Sequence, residues 1–201
     1  MKKLTGTPGA VVGWGIGFVV LLFVSAAMVS LPTAADDGVR IVAFYAANAQ
    51  VIVLQQVVGV AALGAFIAFA VSLRPDRWLR PALWLFVLAE LATNVIPVAI
   101  VASHPSPDAA HGLTLAEDIA DSALFISIAI FAAAATLTQP AWLRIAAYVV
   151  AAASVVRAIG SPFGFTSLDA VAPFAFIAFV VVLSVKSLVR RQSAAILPPP
   201  S

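Results

Sequence analysis

An all-α bundle of six membrane-spanning helices, with both chain ends in the cytoplasm, is the fold that this sequence predicts. Of its 201 residues, 63% are hydrophobic and 10% are charged, whereas about 25% are charged in an average soluble domain. Six apolar segments follow one another along the chain, each close to the roughly 20 residues that a membrane-crossing helix needs. Six such helices leave no room for a separate soluble domain.

Proline and glycine residues separate the apolar segments, which we place at 10–31, 50–72, 81–102, 115–138, 141–159 and 169–189. The first segment is longer than the apolar core of a signal peptide, about 7–15 residues, so we expect a retained helix. Cleavage near Ala35 is the alternative. The second helix is expected to begin before residue 50, because Asp36 and Asp37 can cap its start. Residues 193–201 are expected to form a flexible tail, which leaves 1–192 as a single transmembrane domain.

Basic residues set the predicted orientation. With the amino terminus inside, nine of the eleven lysines and arginines fall near the cytoplasmic side, as the positive-inside rule requires. The nine are Lys2, Lys3, Arg74, Arg77, Arg80, Arg144, Lys186, Arg190 and Arg191. Trp14, Trp78, Trp84 and Trp142 lie near the same helix ends, where tryptophans anchor helices at the interface. We therefore expect a multi-pass protein of the bacterial inner membrane, with the lipid bilayer as its first partner.

Several kinds of site are excluded by composition. The chain has no cysteine, which rules out disulfides and thiolate ligands. Its basic residues flank apolar segments, so we expect no nucleic-acid partner. His104, Asp108 and His111 fall in a predicted outer loop whose spacing matches no known metal site. No histidine lies inside a predicted span, which argues against bundle haem. We therefore assign no metal, no cofactor and no catalytic residue.

Gly9, Gly13 and Gly17 are spaced four residues apart in the first helix, with Gly15 between them. Glycines at this spacing share one helix face and let a neighbouring backbone approach closely. The sequence predicts a glycine zipper that packs inside the bundle, with a homodimer seam as the alternative. Under either interpretation, we expect Gly13→Leu to push apart backbones that glycine allows to touch.

Glu90 lies near the centre of the third span, where a charge is costly. Asn94 follows one turn later on the same face, and Gln55 and Gln56 reach a similar depth in the second helix. We expect Glu90 to be protonated and hydrogen-bonded to Asn94, or to a glutamine across the interface. The cluster either holds helices together or binds a proton, an ion or another ligand.

Asp121 and Arg157 are expected to lie at matching depths near the outer ends of the fourth and fifth helices. We predict an ion pair between them. The alternative is that Arg157 extends to the lipid phosphates.

Four stretches resemble a bacterial, mainly actinobacterial, family of six-helix membrane proteins of unknown function. They are the Asp36-Asp37 to Tyr45 start of the second helix, its end at Leu73-Arg74-Pro75, the turn from Gln139 to Arg144, and the last helix with Lys186, Arg190 and Arg191. The resemblance implies a six-helix membrane fold. It implies no activity and no functional residues.

The pattern favours a small accessory or structural subunit, or a ligand-binding one, in a homo-oligomer or a larger membrane complex. A small-solute, ion or proton transporter that uses the Glu90 region is one alternative, although residues 1–100 and 101–201 show no internal repeat of the kind common in transporters. The other alternative is an intramembrane lipid-modifying enzyme that uses Glu90, Asp121 or His104 as acid and base.

Overall fold

The computed structural model of the protein describes residues 8–73, 77–161 and 169–196. Within these ranges the chain forms six α-helices: α1 (Pro8–Ala26), α2 (Gly38–Ser72), α3 (Leu79–Ser103), α4 (Pro107–Thr136), α5 (Ala141–Gly160) and α6 (Val171–Ile196). The all-helical class is confirmed. Four helices, α2 to α5, are long and apolar enough to cross a membrane, whereas α1 and α6 contain the shorter apolar stretches Ala10–Ala26 and Val171–Ser187.

Neighbouring helices in the chain pack side by side, and α6 returns to α1. The helices therefore form a closed ring, which α2 crosses to reach α4. Local chemistry explains where the long helices begin. Asp37 caps α2 by accepting a hydrogen bond from the Arg40 N–H at 2.9 Å. Ser106 caps α4 in the same way, and Pro107 occupies the first helical turn, where its missing N–H has no consequence.

Three boundaries differ from the sequence prediction. The helix α1 ends at Ala26, so residues 27–31 of the first predicted span are not helical. The helix α4 begins at Pro107 rather than at 115, because Ser106 and Pro107 form a strong start signal. The expected early start of α2 is confirmed at Gly38. The helix α6 reaches Ile196, past the predicted boundary at 192, and residues 197–201 lie outside the described part of the chain.

The larger apolar cluster is built around Phe66 of α2, which is fully buried. Its ring lies 4.2 Å from that of Phe86, 4.9 Å from Phe131 and 5.0 Å from Phe18, measured between centroids. Phe176 of α6 is 5.8 Å away. A single side chain thus contacts aromatic rings from four other helices. We call this core the phenylalanine cluster.

A second, smaller apolar cluster lies nearer the start of α2. It contains Ile41, Tyr45, Ile52, Ile100 and Ala110. Val29 and Leu31, from the non-helical segment after α1, pack against it. We call it the outer cluster. At 1.5 Å per residue, the 35 residues of α2 extend about 52 Å, which is long enough to pass through both clusters.

The glycine that packs closely in α1 is Gly15, not Gly13 or Gly17. A methyl group added at Gly15 would meet Ser184 Oγ of α6 and the Phe69 ring, whereas one added at Gly13 or Gly17 would meet nothing within 4 Å. Internal packing through the Gly13–Gly17 face is therefore wrong for this bundle. The reason is rotation of the helix, because Val11, Gly15 and Phe18 form the buried face. Burial in α1 is described only from Ala10 onward, so Gly9 is not placed.

These two faces of α1 should respond differently to leucine. We expect Gly15→Leu to lower the free energy of unfolding by about 1–3 kcal/mol, the usual effect of overpacking. The matched variant Gly13→Leu should stay within about 0.5 kcal/mol of the unsubstituted protein, as surface changes do. Thermal unfolding of both variants in the same detergent measures the difference. Equal destabilisation by the two leucines would contradict the assignment of faces.

Candidate functional site in a polar layer

A layer of polar side chains separates the phenylalanine cluster from the outer cluster. Along α2, for example, the outer cluster ends at Ile52 and the phenylalanine cluster begins at Ala62. The side chains between or beside the clusters are Gln55, Gln56, Glu90, Asn94, Glu117, Asp118, Asp121 and Arg157. We call this set the polar layer. It brings together all the sequence-predicted binding and ion-pair candidates from four different helices.

Glu90 and Asn94 form the α3 part of the layer. The Asn94 amide nitrogen donates to the Glu90 carboxyl oxygen Oε1 at 3.2 Å and to the Glu90 main-chain carbonyl at 2.7 Å. Thr93 Oγ1 donates to the same carbonyl at 2.9 Å. The carboxyl group therefore accepts one long side-chain hydrogen bond. Within the described residues, no lysine, arginine or histidine nitrogen lies within 4.0 Å of it.

The Asn94 side chain packs against Gly59 of α2, in the space that a larger side chain would fill. A methyl group at Gly59 would meet the Asn94 side-chain oxygen directly, and both residues are buried. Glycine at this position lets α2 and α3 approach closely enough for Asn94 to lie against the α2 backbone. Gly59 therefore helps to fix the Asn94 amide that binds Glu90. It lies one turn from Gln55 on the same face of α2.

Gln55 does not bind Glu90. Its amide nitrogen donates to the main-chain oxygens of Ser25 at 3.0 Å and Val29 at 2.9 Å, at the end of α1. The last carbonyls of a helix lack hydrogen-bond donors within the helix. The Gln55 amide is such a donor where the chain leaves α1. Gln56 is buried, and its amide makes no hydrogen bond to other described residues. The predicted glutamine partners of Glu90 are thus wrong, whereas the predicted Asn94 contact is present.

Arg157 lies against α4 and is only 14% exposed. Its Nη1 donates to Asp121 Oδ2 at 2.6 Å, and its Nε lies 3.4 Å from Asp169 Oδ1. The guanidinium carbon sits 3.7 Å from the centroid of the Phe125 ring, a cation–π distance. The structure therefore shows Arg157 turned into the bundle rather than extended toward lipid phosphates. Asp169, the second carboxylate, was not paired with Arg157 in the sequence analysis.

Carboxyl groups outnumber cations in this region. Asp121 is close enough to Glu90 and to Glu117 for their charges to interact. Asp118 accepts a hydrogen bond from the Ala34 N–H at 2.8 Å, which ties the segment after α1 to α4. Among the described residues, Arg157 is the one cation paired with this group. Such an arrangement can hold a proton or a cation, because unpaired carboxylates are unfavourable away from water.

The predicted histidine loop does not form. His104 ends α3 in a left-handed conformation, with φ of 46°, and His111 lies inside α4. The described residues contain no group of three or more histidine, aspartate or glutamate side chains able to hold a metal ion.

Substitutions at two glycines of α2 test the close contact beneath Glu90. We expect Gly59→Ala to displace Asn94 and lower the free energy of unfolding by about 1–3 kcal/mol. Gly64→Ala is the matched control, because Gly64 is exposed and a methyl group there meets nothing within 4 Å. The control should be neutral, or stabilising by up to about 1 kcal/mol through helix propensity. Thermal unfolding in detergent compares them. If Gly59→Ala is as stable as Gly64→Ala, Asn94 is not held by this contact.

No family model, no curated protein and no solved structure matches this chain. The resemblance to bacterial six-helix membrane proteins rests on the sequence motifs alone.

Proposed function

We propose that this chain is a six-span protein of the bacterial inner membrane, with both ends in the cytoplasm, that serves as an accessory or ligand-binding subunit. Its helices support the membrane location. Large apolar side chains are exposed along the whole bundle, including Leu54 and Val57 on α2, Leu88 on α3 and Val149 on α5. Water would penalise this surface, whereas lipid would not.

The single observation that carries the accessory role is how the polar layer is used. Gln55 binds the end of α1, Asp118 binds the segment that follows it, and Arg157 joins α4 to Asp169. These contacts connect different parts of the fold. Interhelical hydrogen bonds of this kind stabilise membrane bundles by about 0.6–2 kcal/mol each. We therefore interpret the polar layer as a structural element that stabilises helix packing and carries out no reaction.

Glu90 favours a second candidate function, the binding or transfer of a proton or small cation. Its carboxyl group has spare capacity, since it accepts a single side-chain hydrogen bond, at 3.2 Å, and no cationic nitrogen of the described residues lies within 4.0 Å of it. Asp121 lies close enough for electrostatic repulsion, which a bound proton or cation would relieve. The observation is compatible with an accessory subunit that carries a proton for a larger complex.

The lipid-modifying enzyme receives no comparable support. Its acid and base would have to reach one substrate atom together. Glu90 is on α3 and His104 caps its carboxyl end, fourteen residues further along the chain, which corresponds to a rise of about 21 Å. Asp121 is already bound to Arg157 at 2.6 Å.

The accessory role and the proton-carrier role make different predictions for Glu90→Gln. Glutamine keeps the shape and the acceptor oxygen, so we expect the free energy of unfolding to change little in both cases. Glu90→Leu should lower it by about 0.6–2 kcal/mol, since it removes the hydrogen bond from Asn94. Asp108→Asn, at an exposed carboxyl in the first turn of α4, is the control.

Proton release and uptake by the purified protein, measured while pH is changed, separates the two roles. Loss of proton uptake and release close to pH 7 in Glu90→Gln, but not in Asp108→Asn, would support proton binding by Glu90. Unchanged proton uptake in Glu90→Gln would exclude proton binding by Glu90 and favour the structural role of the polar layer. Infrared difference spectroscopy gives the state of the group: an ionised Glu90 at pH 7 would contradict the expected protonated carboxyl.

Single cysteines test the proposed topology, because the chain contains no natural one. Cysteines in place of Lys3 and Gln192 should react with a membrane-impermeant maleimide only after the cells are opened. A cysteine in place of Ala109, an exposed residue near the start of α4, should react in intact cells. Labelling of either terminal cysteine from outside would refute six spans with cytoplasmic ends.

A further inference from the structure

Two hydroxyl groups are buried without a protein partner where α2 passes α4. Tyr45 of α2 is 3% exposed and Thr114 of α4 is 0% exposed. Neither Tyr45 Oη nor Thr114 Oγ1 forms a hydrogen bond with another described residue. Because a hydroxyl removed from water is unfavourable unless it is hydrogen-bonded or otherwise partnered, both groups require a partner that the neighbouring side chains do not provide.

The packing of the outer cluster places the two hydroxyls in one region. Tyr45 belongs to that cluster together with Ala110 of α4, and Leu113 packs against it. Thr114 follows Ala110 by one helical turn on the same face of α4, and both residues are fully buried. The α4 face that meets Tyr45 therefore also carries the Thr114 hydroxyl.

Two carboxyl groups follow on the same side of α4. Glu117 and Asp118 come three and four residues after Thr114, the spacing of neighbours on a helix face, and both lie close enough to Tyr45 for their charges to act on its hydroxyl. Within the described residues, no lysine, arginine or histidine nitrogen lies within 4.0 Å of either carboxyl. We call Tyr45, Thr114, Glu117 and Asp118 the hydroxyl–carboxyl site.

We propose that the hydroxyl–carboxyl site binds a sodium ion between α2 and α4. Hydroxyl and carboxyl oxygens are donors that hard cations take, and a cation would partner the two hydroxyl oxygens while offsetting the carboxyl charge. The four side chains supply fewer oxygens than the roughly 6–8 that Ca²⁺ takes. One Asp118 oxygen is also bound to the Ala34 N–H at 2.8 Å. The donor set therefore suits a monovalent ion.

This donor set differs from the usual metal cluster. It contains two acidic side chains and two hydroxyls, whereas a group of three or more histidine, aspartate or glutamate side chains is absent from the described residues. Sodium sites in membrane proteins likewise draw on neutral oxygens, such as those of unwound backbone carbonyls.

The site is distinct from the proposed proton site at Glu90. Tyr45 precedes Gly59 by fourteen residues of α2, a rise of about 21 Å. Gly59 is the point at which α2 contacts Asn94, the partner of Glu90. Sodium binding between α2 and α4 therefore goes beyond the proposed function and can be tested independently of it.

The test compares the full-length protein in detergent with sodium chloride or choline chloride at equal ionic strength. Binding is followed by the line width of the sodium NMR signal, and stability by the midpoint of thermal unfolding. We expect the protein to broaden the sodium signal. At several times the dissociation constant, sodium should raise the midpoint by about 2–4 °C. Choline is too large for a buried site and supplies charge screening alone.

Thr114→Val and Glu117→Gln each remove one donor and keep the shape of the side chain. Each should weaken sodium binding about tenfold, the loss expected for one contact to a charged partner. In choline chloride, Thr114→Val should be no less stable than the unsubstituted protein, because it removes an unpartnered hydroxyl. Thr136→Val is the matched control, since Thr136 is buried at the other end of α4 and its hydroxyl donates to the Ala132 carbonyl at 3.0 Å. It should keep the full sodium response.

Equal midpoints in the two salts, with no broadening of the sodium signal, would overturn the proposed site. So would an undiminished response in both Thr114→Val and Glu117→Gln. A response lost in Glu90→Gln but kept in Glu117→Gln would move the ion to Glu90, which supports the proposed function and overturns this inference. Proton uptake by Glu90 is measured separately, so failure of either site leaves the other standing.

Discussion

The packing of aromatic rings around Phe66 is the interaction on which the rest of the bundle depends. Phe66 is fully buried and contacts rings from α1, α3, α4 and α6. Each aromatic pair contributes about 0.5–1.5 kcal/mol beyond the burial of its area. Because one side chain of α2 touches four helices, those helices cannot shift independently. The close approach of α1 to α6 at Gly15, beside the Phe69 ring, is consistent with this arrangement.

Apolar packing alone does not determine how the helices are aligned with respect to one another. Aliphatic and aromatic surfaces can slide past one another at little cost, whereas hydrogen bonds in a dry interior need particular partners. The polar layer supplies that specificity directly above the phenylalanine cluster. Gln55 fixes the end of α1, and Arg157 fixes α5 against α4. Glu90 takes part in this layer through a single side-chain hydrogen bond, from Asn94, and it is the residue on which the proposed proton site depends.

Features that depend on local chemistry could be predicted from the sequence. The helical class, the start of α2 at its aspartate cap and the depth match of Asp121 with Arg157 came from composition, capping rules and counting along helices. Features that depend on helix rotation could not. Spacing places Gly13 and Gly17 on one face but does not say which way that face points. Likewise, Gln55 shares a depth with Glu90, yet its amide turns to α1, because the end of that helix presents unpaired carbonyls.

The early end of α1 has a consequence for how the chain is made. The helix stops at Ala26, beside Gln55, which is about 25 Å along α2 from the start of that helix at Gly38. Residues 27–37 must therefore cover that distance, with helix- or turn-type backbone hydrogen bonds only at Ala27, Met28 and Asp36, and an extended chain of this length can do so. Backbone carbonyls in such a segment are tolerated at membrane depth only when protein supplies their partners. The amide that does so is synthesised later than the segment itself. The hydrogen bonds from Gln55 to the Ser25 and Val29 carbonyls can therefore form only after α2 has been synthesised.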